Sequence, residues 1–350
     1  MKSQPTVTTR IVLTLGVLLL TGFLRVSALT SPASPTVVLH PNPLASDSEI
    51  QHALDQLPAS GGTVLLVPGT YLIRRPLLLN RDFLALRGSG ATTILQLTDG
   101  ADCPVVIMGS TEAKPARIIE ELSLSDLVIN GDRRHQSVEQ WVSPANNSGI
   151  QNNGVIIQSV SNSEVERVVA AHCRSGGLVT AINTRNLTVN DFTAFDNQFD
   201  GLACYRTENS TFTGLNLHDN QAAGISLDLD FNHNVISDST LTGNDLGIFM
   251  RKSNDNQFSG ITIRRSHHDG VFMAQWAGYT HTGWQLIPQT ECADNHFSGL
   301  DIYDCGGVAF RVHDAACINN VIDDGIFAGN QNGGLVEAGA NLVRIQDGLD

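Results

Sequence analysis

The sequence lacks three features that would have pointed to common classes of protein. Basic residues are in deficit, with 21 Lys and Arg against 35 Asp and Glu, so the net charge is −14. Nucleic acid is therefore not expected as a partner, since phosphate binding needs a basic surface. The six cysteines form no Cys-x-x-Cys pair, which argues against a zinc site. The apolar run at residues 11–24 spans about 14 residues, too few for a stable membrane anchor.

The first 28 residues read as a secretory signal peptide. Lys2 and Arg10 supply a positive start, the apolar run follows, and Val26-Ser27-Ala28 offers a small-residue cleavage site. We therefore expect a secreted or periplasmic protein.

Export makes disulfides possible. Cys204 falls on an inward position of the repeat described below, and we expect it to be a buried free thiol. Cys292, Cys305 and Cys317 are the better candidates for a bridge, and the spacing alone does not fix which would pair.

A short phrase restarts about every 23 residues: a glycine, then an apolar–x–apolar stretch, then a polar turn. The glycines that open it are Gly154, Gly177, Gly201, Gly224, Gly247, Gly270, Gly307 and, more weakly, Gly334. This period, with strand-like alternation, is typical of a solenoid in which each repeat forms one rung.

Alternation within the repeat assigns side chains to the inside or the outside. Residues one, three and five after each glycine are mostly apolar and should point inward. We therefore expect Leu227, Met250 and Met273 to form one interior column. An asparagine recurs after the strand and should stack in a structural ladder; the set is Asn186, Asn234, Asn256, Asn295, Asn320 and Asn341.

The segment before the repeats should supply a linker and a cap. The proline-rich residues 29–45 are expected to be an extended linker, and residues 46–58 a short amphipathic helix that Ser46 to Glu49 would cap. This helix would cover the open end of a parallel β-helix that occupies residues 59–350.

Residues 61–97 carry the phrases GGTV, PGTY and LRGSGAT, separated by turn residues. Together with the glycine-restarted repeats, this segment resembles the pectin-lyase-like superfamily. The resemblance implies an all-β, single-stranded right-handed parallel β-helix with a short N-terminal capping helix. It also implies a poly- or oligosaccharide partner, because the superfamily holds lyases, hydrolases, epimerases and non-catalytic modules.

Two longer segments, 130–153 and 274–295, interrupt the period and hold all three tryptophans, Trp141, Trp276 and Trp284. Aromatic faces outside the core suit stacking on sugar rings. The alternative is that each tryptophan only pins its own loop.

Outward positions of successive repeats bring charged residues to one face. Position four after the glycine gives Tyr205, Asp228, Arg251 and Arg311, and position six gives Thr207, Asp230, Ser253, Trp276 and His313. His268 lies in the turn before Gly270. We predict a site there with Asp228, Asp230, Arg251, Tyr205, His268 and His313 in catalysis and the tryptophans with Arg311 in substrate binding.

Three functions remain open for this face. A uronate lyase or epimerase, placed first, would use Ca²⁺ held by Asp228 and Asp230, with Arg251, Tyr205 or a histidine exchanging the proton. A glycoside hydrolase would use the two aspartates as acid and base at about 6–7 Å. A non-catalytic carbohydrate-binding solenoid needs only the tryptophan loops. The chain lacks the W-I-D-H phrase of pectate lyases and the D-P-H-D phrase of alginate epimerases.

The C-terminal end of the solenoid would need a cover, because open apolar rungs are costly in water. We expect either a short tail or a second subunit there, so a homo-oligomer is a possible assembly.

Overall fold

The computed structural model describes residues 34–275, 277–280, 283–286, 291–339 and 343–346. The predicted signal peptide, residues 1–28, lies outside them. Across these ranges, no helix is long and apolar enough to cross a membrane.

Most of the chain forms short strands joined by turns. The first part comprises β1 (Thr36–Leu39), helix α1 (Ser46–Gln56), β2 (Gly62–Leu66), β3 (Gly69–Ile73), β4 (Leu77–Leu79), β5 (Leu84–Arg87), β6 (Thr93–Leu97), β7 (Val106–Gly109), β8 (Ile119–Glu120) and β9 (Ser123–Asn130).

The central part begins with a 3₁₀ turn at Arg133–His135. The strands that follow are β10 (Gln140–Val142), β11 (Gly149–Gln151), β12 (Val155–Gln158), β13 (Val160–Ala171), β14 (Leu178–Ala181), β15 (Thr184–Asn190), β16 (Thr193–Phe195), β17 (Leu202–Tyr205), β18 (Thr207–Glu208), β19 (Thr211–Thr213) and β20 (Asn216–His218).

The last part mixes strands of eight to ten residues with strands of three or four. They are β21 (Ala223–Asn232), β22 (Val235–Thr242), β23 (Leu246–Asn254), β24 (Gln257–Arg264), β25 (Val271–Ala274), β26 (Ala277–Thr280), β27 (Gly283–Leu286), β28 (His296–Tyr303), β29 (Phe310–Val312), β30 (Asn320–Ala328), β31 (Leu335–Glu337) and β32 (Val343–Gln346).

These strands stack in parallel as an all-β, single-stranded right-handed parallel β-helix of about 12 turns, as the sequence predicts. One face, called face A below, consists of β4, β7, β12, β14, β17, β25, β29, β31 and the first halves of β21 and β23. Strands β10–β11 and β26–β27 are antiparallel hairpins outside the solenoid.

The interior columns follow the predicted register. Leu227 pairs with Met250, and Met250 pairs with Met273, on consecutive strands of face A. All three side chains are fully buried. The prediction of this column is confirmed. In this part of face A, the side chains that point inward are therefore the ones that the apolar alternation predicts.

The asparagine ladder is real for four of the six predicted members. The Asn234 side-chain amide donates to Asn256 Oδ1 at 3.3 Å, Asn256 to Asn295 at 2.9 Å, and Asn295 to Asn320 at 3.0 Å. Asn186 is exposed and bonds to Asn162 outside this ladder, and Asn341 lies outside the described residues. A second ladder joins Asn197, Asn220 and Asn244.

Helix α1 covers the first rung with Ile50 and Leu54, which are fully buried. The predicted capping box is wrong. The N-cap is Ala45, which makes no side-chain capping bond. Ser46 Oγ instead donates to the Asn42 carbonyl at 2.6 Å, and Ser48 Oγ donates to the Ala45 carbonyl, so neither hydroxyl accepts from the first turn.

Part of the predicted linker belongs to the solenoid. Strand β1 pairs with β2 in parallel register, Thr36 opposite Thr63. The backbone groups at the edge of the first rung would otherwise be unpaired, and residues 36–39 form hydrogen bonds with them. Prolines lie on both sides of this short edge strand. The expectation of a linker over all of 29–45 is therefore wrong at these four residues.

The rung that contains Gly307 is out of phase with the repeat. Phe310 pairs with Val271 and Arg311 with Phe272, so Ala309 takes the place that a glycine holds in the other rungs. The excursion after β25 adds residues before this rung, and its glycine no longer marks the strand start. The two-residue shift preserves which side chains point inward.

The six cysteines are buried free thiols. Cys204 pairs with Leu227 in the interior of face A, which confirms its predicted position. The bridges considered for Cys292, Cys305 and Cys317 are not formed.

Replacing Asn256 by Ala should lower the free energy of unfolding by at least about 2 kcal/mol, because the Asn234 backbone N–H and the Phe231 carbonyl lose their partners in the interior. Asn216→Ala is the matched control, since Asn216 is exposed on β20 and a surface change costs within about 0.5 kcal/mol. Chemical denaturation measures both. Equal losses would show that the ladder contributes nothing specific.

Candidate functional site

The outer surface of face A carries a charged patch where β17, β21 and β23 lie side by side. Tyr205 pairs with Asp228 and Asp228 with Arg251, so the three side chains occupy consecutive rungs of one outward column. This is the register that the sequence predicted. Together with Asp200, introduced below, these residues are called the Asp228 patch.

Asp228 is the most enclosed carboxylate of the patch, with 3% of its surface exposed. Arg251 holds it from the next rung through two donors, and the Nε–Oδ2 distance is 3.1 Å. The second oxygen, Oδ1, is buried without a hydrogen-bond partner in the described part of the chain. Burial raises the pKa of Asp228, and the charge of Arg251 opposes that rise.

Asp200 joins the patch from the turn before Gly201. Its Oδ1 accepts a hydrogen bond of 2.9 Å from the Ala223 backbone N–H. Burial, helped by the negative charge of Asp228, raises the pKa of Asp200 to about 7. At neutral pH a large share of Asp200 therefore carries a proton, which an ordinary aspartate does not.

Sequence reasoning missed Asp200 because it took its carboxylates only from the strand positions after each glycine. A signal was present. Asp-Gly opens the rungs at Gly201 and at Gly270, and Asp269 is likewise held against the next rung, where it accepts a 2.6 Å hydrogen bond from the Val308 backbone N–H.

Tyr205 is half-buried beside the two carboxylates. Burial first, then the charges of Asp200 and Asp228, raise the pKa of its hydroxyl. The hydroxyl is thus a proton-bearing group at every physiological pH.

Asp230 does not share the outward face with Asp228. A bulge intervenes, because the pairing to β23 shifts from Asp228–Arg251 to Phe231–Ser253. Leu229 and Asp230 have φ values of 52° and 73°, so the chain turns the corner there. Asp230 lies round that corner, 2.9 Å from Lys252 Nζ. The expectation that these two aspartates lie together is wrong.

The same corner explains a wider error in the register. Thr207 and Ser253, placed outside by their sixth position after the glycine, are fully buried. Arg206 and Lys252, which precede them, have φ near 50°. A residue in this left-handed conformation reverses the strict alternation of a strand, so position six returns to the interior.

The calcium site expected at Asp228 and Asp230 does not fit this geometry. One carboxylate is buried against Arg251 and the other faces Lys252 on the far side of the bulge. Calcium needs several oxygen ligands converging on one point, and these two carboxylates do not converge.

His268 and Arg311 lie away from the Asp228 patch. His313 continues the outward column of Asp228 and Arg251 two rungs beyond Arg251, because the two-residue shift brings it opposite Ala274. His313 is exposed and its ring stacks on Phe272 at 5.3 Å. His268 lies in the turn at the start of the strands, with Nδ1 2.8 Å from Asp245 Oδ1. Arg311 donates from Nε to Asp269 Oδ2 at 2.6 Å; because of the two-residue shift it occupies position two rather than four.

A line of aromatic rings extends from the patch along face A. Phe249 and Phe272 stack with centroids 5.7 Å apart, and the Arg251 guanidinium lies 4.8 Å from the Phe249 ring centre. Neither phenylalanine was a predicted site residue. The signal is the phrase pair GIFM and GVFM, in which an aromatic residue takes an outward position on successive rungs.

Trp141 is half-buried and lies in strand β10. It packs over Ile107, Ile150 and Ile156, a small apolar cluster on the outside of face A. Trp141 therefore packs its own loop against the solenoid, and the indole keeps part of its surface exposed. Trp276 lies outside the described residues, as does the side chain of Trp284, whose backbone belongs to β27.

Comparisons with known proteins agree with this architecture. A family model described as "right handed beta helix region" matches residues 143–263. The A-module of mannuronan C-5 epimerase AlgE4 from Azotobacter vinelandii superposes with a TM-score of 0.52 at 18% identity, over 86% of this chain and 95% of that one. The chain has the pectin-lyase-like fold.

Two further relatives differ in the reaction that their names state. Mannuronan C5-epimerase AlgE1 of A. vinelandii is 28% identical over 195 residues, which are 52% of this chain. The chain spans 13% of that relative's length. Endo-xylogalacturonan hydrolase of Aspergillus tubingensis has a TM-score of 0.59 at 12% identity, over 88% of each chain.

Asp200→Asn should raise the melting temperature by a few degrees at pH 8 and by much less at pH 5. A carboxyl whose folded pKa is raised stabilises the fold below its ordinary pKa, and that contribution is lost as pH rises through about 7. Asparagine is neutral at both pH values. Scanning calorimetry measures the shift, with Asp230→Asn as the control. An equal shift at both pH values would contradict the raised pKa.

Proposed function

We propose that the protein is an exported carbohydrate-active enzyme whose active site is the Asp228 patch. The carrying observation is that two carboxylates of different environment interact electrostatically, Asp228 on the outer surface of face A and Asp200 in the turn before Gly201. Asp228 is held by Arg251, while Asp200 accepts a hydrogen bond from the Ala223 backbone N–H and has a pKa raised to about 7. Titratable groups whose environments differ in this way are typical of acid–base sites.

Hydrolysis of a glycosidic bond is the reaction that this pair suits best. Asp200, protonated near neutral pH, would donate its proton to the leaving glycosidic oxygen. Asp228, whose charged form Arg251 stabilises against the effect of burial, would take a proton from the attacking water. The water oxygen bonds to the anomeric carbon as the glycosidic bond breaks, so one proton is taken up and one released.

Arg251 and Tyr205 would then act as positioning groups. Arg251 orients the Asp228 carboxylate from the neighbouring rung and leaves Oδ1 as the oxygen without a partner. Tyr205 presents a protonated hydroxyl beside both carboxylates. Such a hydroxyl can donate to a substrate oxygen or to the attacking water.

Elimination or epimerisation at a uronate is the second candidate, and the sequence expectation placed it first. The identity with mannuronan C5-epimerase AlgE1 over 195 residues supports it. Both reactions require the substrate carboxylate to be neutralised before its α-proton is removed. In the patch, Arg251 is already paired with Asp228, and the two predicted calcium ligands do not converge. We therefore place hydrolysis ahead.

Asp228→Asn should lower kcat by about 10²–10⁴-fold, the range expected for loss of a general base, and leave the melting temperature within a few degrees. Asp230→Asn is the matched control and should keep full activity, because Asp230 lies beyond the bulge with Lys252. Mannuronan and xylogalacturonan are suitable first substrates. Undiminished turnover in Asp228→Asn would remove Asp228 from the mechanism.

The products distinguish the two candidate reactions. Hydrolysis releases reducing ends without new ultraviolet absorbance, elimination creates an absorbing unsaturated uronate, and epimerisation alters the polymer without cleaving it. Absence of any of these on every substrate, with binding retained, would favour the non-catalytic carbohydrate-binding solenoid.

The value of kcat/KM should fall as pH rises through about 7, because Asp200 must hold its proton to act as the acid. Asp200→Asn should remove this alkaline limb and leave low activity that no longer falls through pH 7. A wild-type profile that is flat between pH 6 and 8 would contradict the role of Asp200.

A further inference from the structure

A groove lies between helix α1 and the loop that carries Trp141, at the first rungs of face A. Its volume is about 480 Å³, which is within the range of small-molecule sites. Leu78, Pro76, Trp141 and Pro144 form its apolar wall, and His52 with Asp55 stand on the helix side. The groove shares no residue with the Asp228 patch.

Several polar groups that line the groove are not used by the fold. Among the described residues, His52 and the guanidinium of Arg75 have no hydrogen-bond or ion-pair partner. Asp55 Oδ1 accepts from the Gln51 side chain at 2.9 Å, which leaves Oδ2 open. By contrast, Gln51 is committed, since its amide bonds both the N–H and the carbonyl of Leu78.

This combination matches one class of ligand. A pyranose ring has an apolar C–H face that packs on an indole, and an equatorial edge of hydroxyls that needs donors and acceptors. The wall of the groove supplies the apolar surface for the C–H face. His52, Arg75 and Asp55 supply donors and acceptors for the hydroxyls. We propose that the groove binds a saccharide unit of the polymer, as an ancillary site separate from the Asp228 patch.

The position of the groove supports an anchoring role. Leu78 occupies the outward column of β4, and five rung steps along face A lead to β21. At about 4.8 Å a step, the two sites lie roughly 24 Å apart. The Trp141 loop stands between them over Ile107 and Ile156, so a sugar in the groove does not touch Asp228. A long polymer can occupy both sites, and a short oligosaccharide only one.

The proposal that the ligand is a saccharide rests on the proposed function. The test is therefore chosen so that failure of the groove proposal and failure of the proposed function give different results. Binding of mannuronan and xylogalacturonan is measured by affinity electrophoresis in an Asp228→Asn background, where turnover is blocked. The double variant His52→Ala, Arg75→Ala should weaken polymer binding about 10-fold. Both side chains are exposed, so the fold should persist. Arg87→Ala, an exposed arginine elsewhere on the solenoid, controls for the lost charge.

A kinetic readout follows in the protein with intact Asp228. The double variant should raise KM for the polymer about 10-fold and leave kcat, and KM for a short oligosaccharide, unchanged. Trp141→Ala should act in the same direction if it folds. Unchanged polymer affinity in the double variant would overturn the proposal even if the enzyme is active. Loss of affinity in a protein that shows no turnover would uphold the groove and remove the proposed function.

Discussion

Parallel stacking in register is the constraint on which the rest of the structure depends. Each rung can satisfy its backbone only by pairing with the rungs above and below, so each side chain lies beside its equivalent one strand away. Inside, this places Leu227, Met250 and Met273 in one column. At the corners it lets buried asparagines bond to one another. Outside, it sets Tyr205, Asp228 and Arg251 in a row.

The chemistry of face A arises where the stacking meets local departures from it. An outward carboxylate on one rung and a guanidinium on the next are brought within hydrogen-bond distance by the register alone. Asp200 enters from a turn, and a one-residue bulge carries Asp230 away. The scaffold therefore fixes the spacing between rungs, while turns and bulges decide which titratable groups share an environment. This division explains how one fold can occur in both hydrolases and epimerases.

Much of the fold could be predicted from the sequence, because the glycine period and the apolar alternation act over many rungs and reinforce one another. The errors are local. Left-handed residues at corners, such as Lys252, reverse the alternation, and no periodic pattern shows them. After the inserted segment that follows β25, the strand of the Gly307 rung starts two residues later than the period predicts. Strand β1 lies in the segment predicted to be a linker, because it pairs with the free edge of β2.

The site was predictable to the extent that it obeys the period. Tyr205, Asp228 and Arg251 stand at one repeat position and were found together. Asp200 was missed because its role comes from burial in a turn and from the charge of Asp228, which sequence spacing does not report. Phe249 and Phe272 were overlooked because apolar side chains on an outward position look like additional core residues in the sequence.

The central claim is that Asp200 and Asp228 form an electrostatically coupled acid–base pair on face A. The most direct test is a ¹³C NMR titration of the Asp200 carboxyl in the wild-type protein and in Asp228→Asn. The account predicts a pKa near 7 in the wild type and a lower pKa in the variant, where the neighbouring charge is gone. A wild-type Asp200 that titrates near 4, or one whose pKa does not respond to Asp228→Asn, would contradict it.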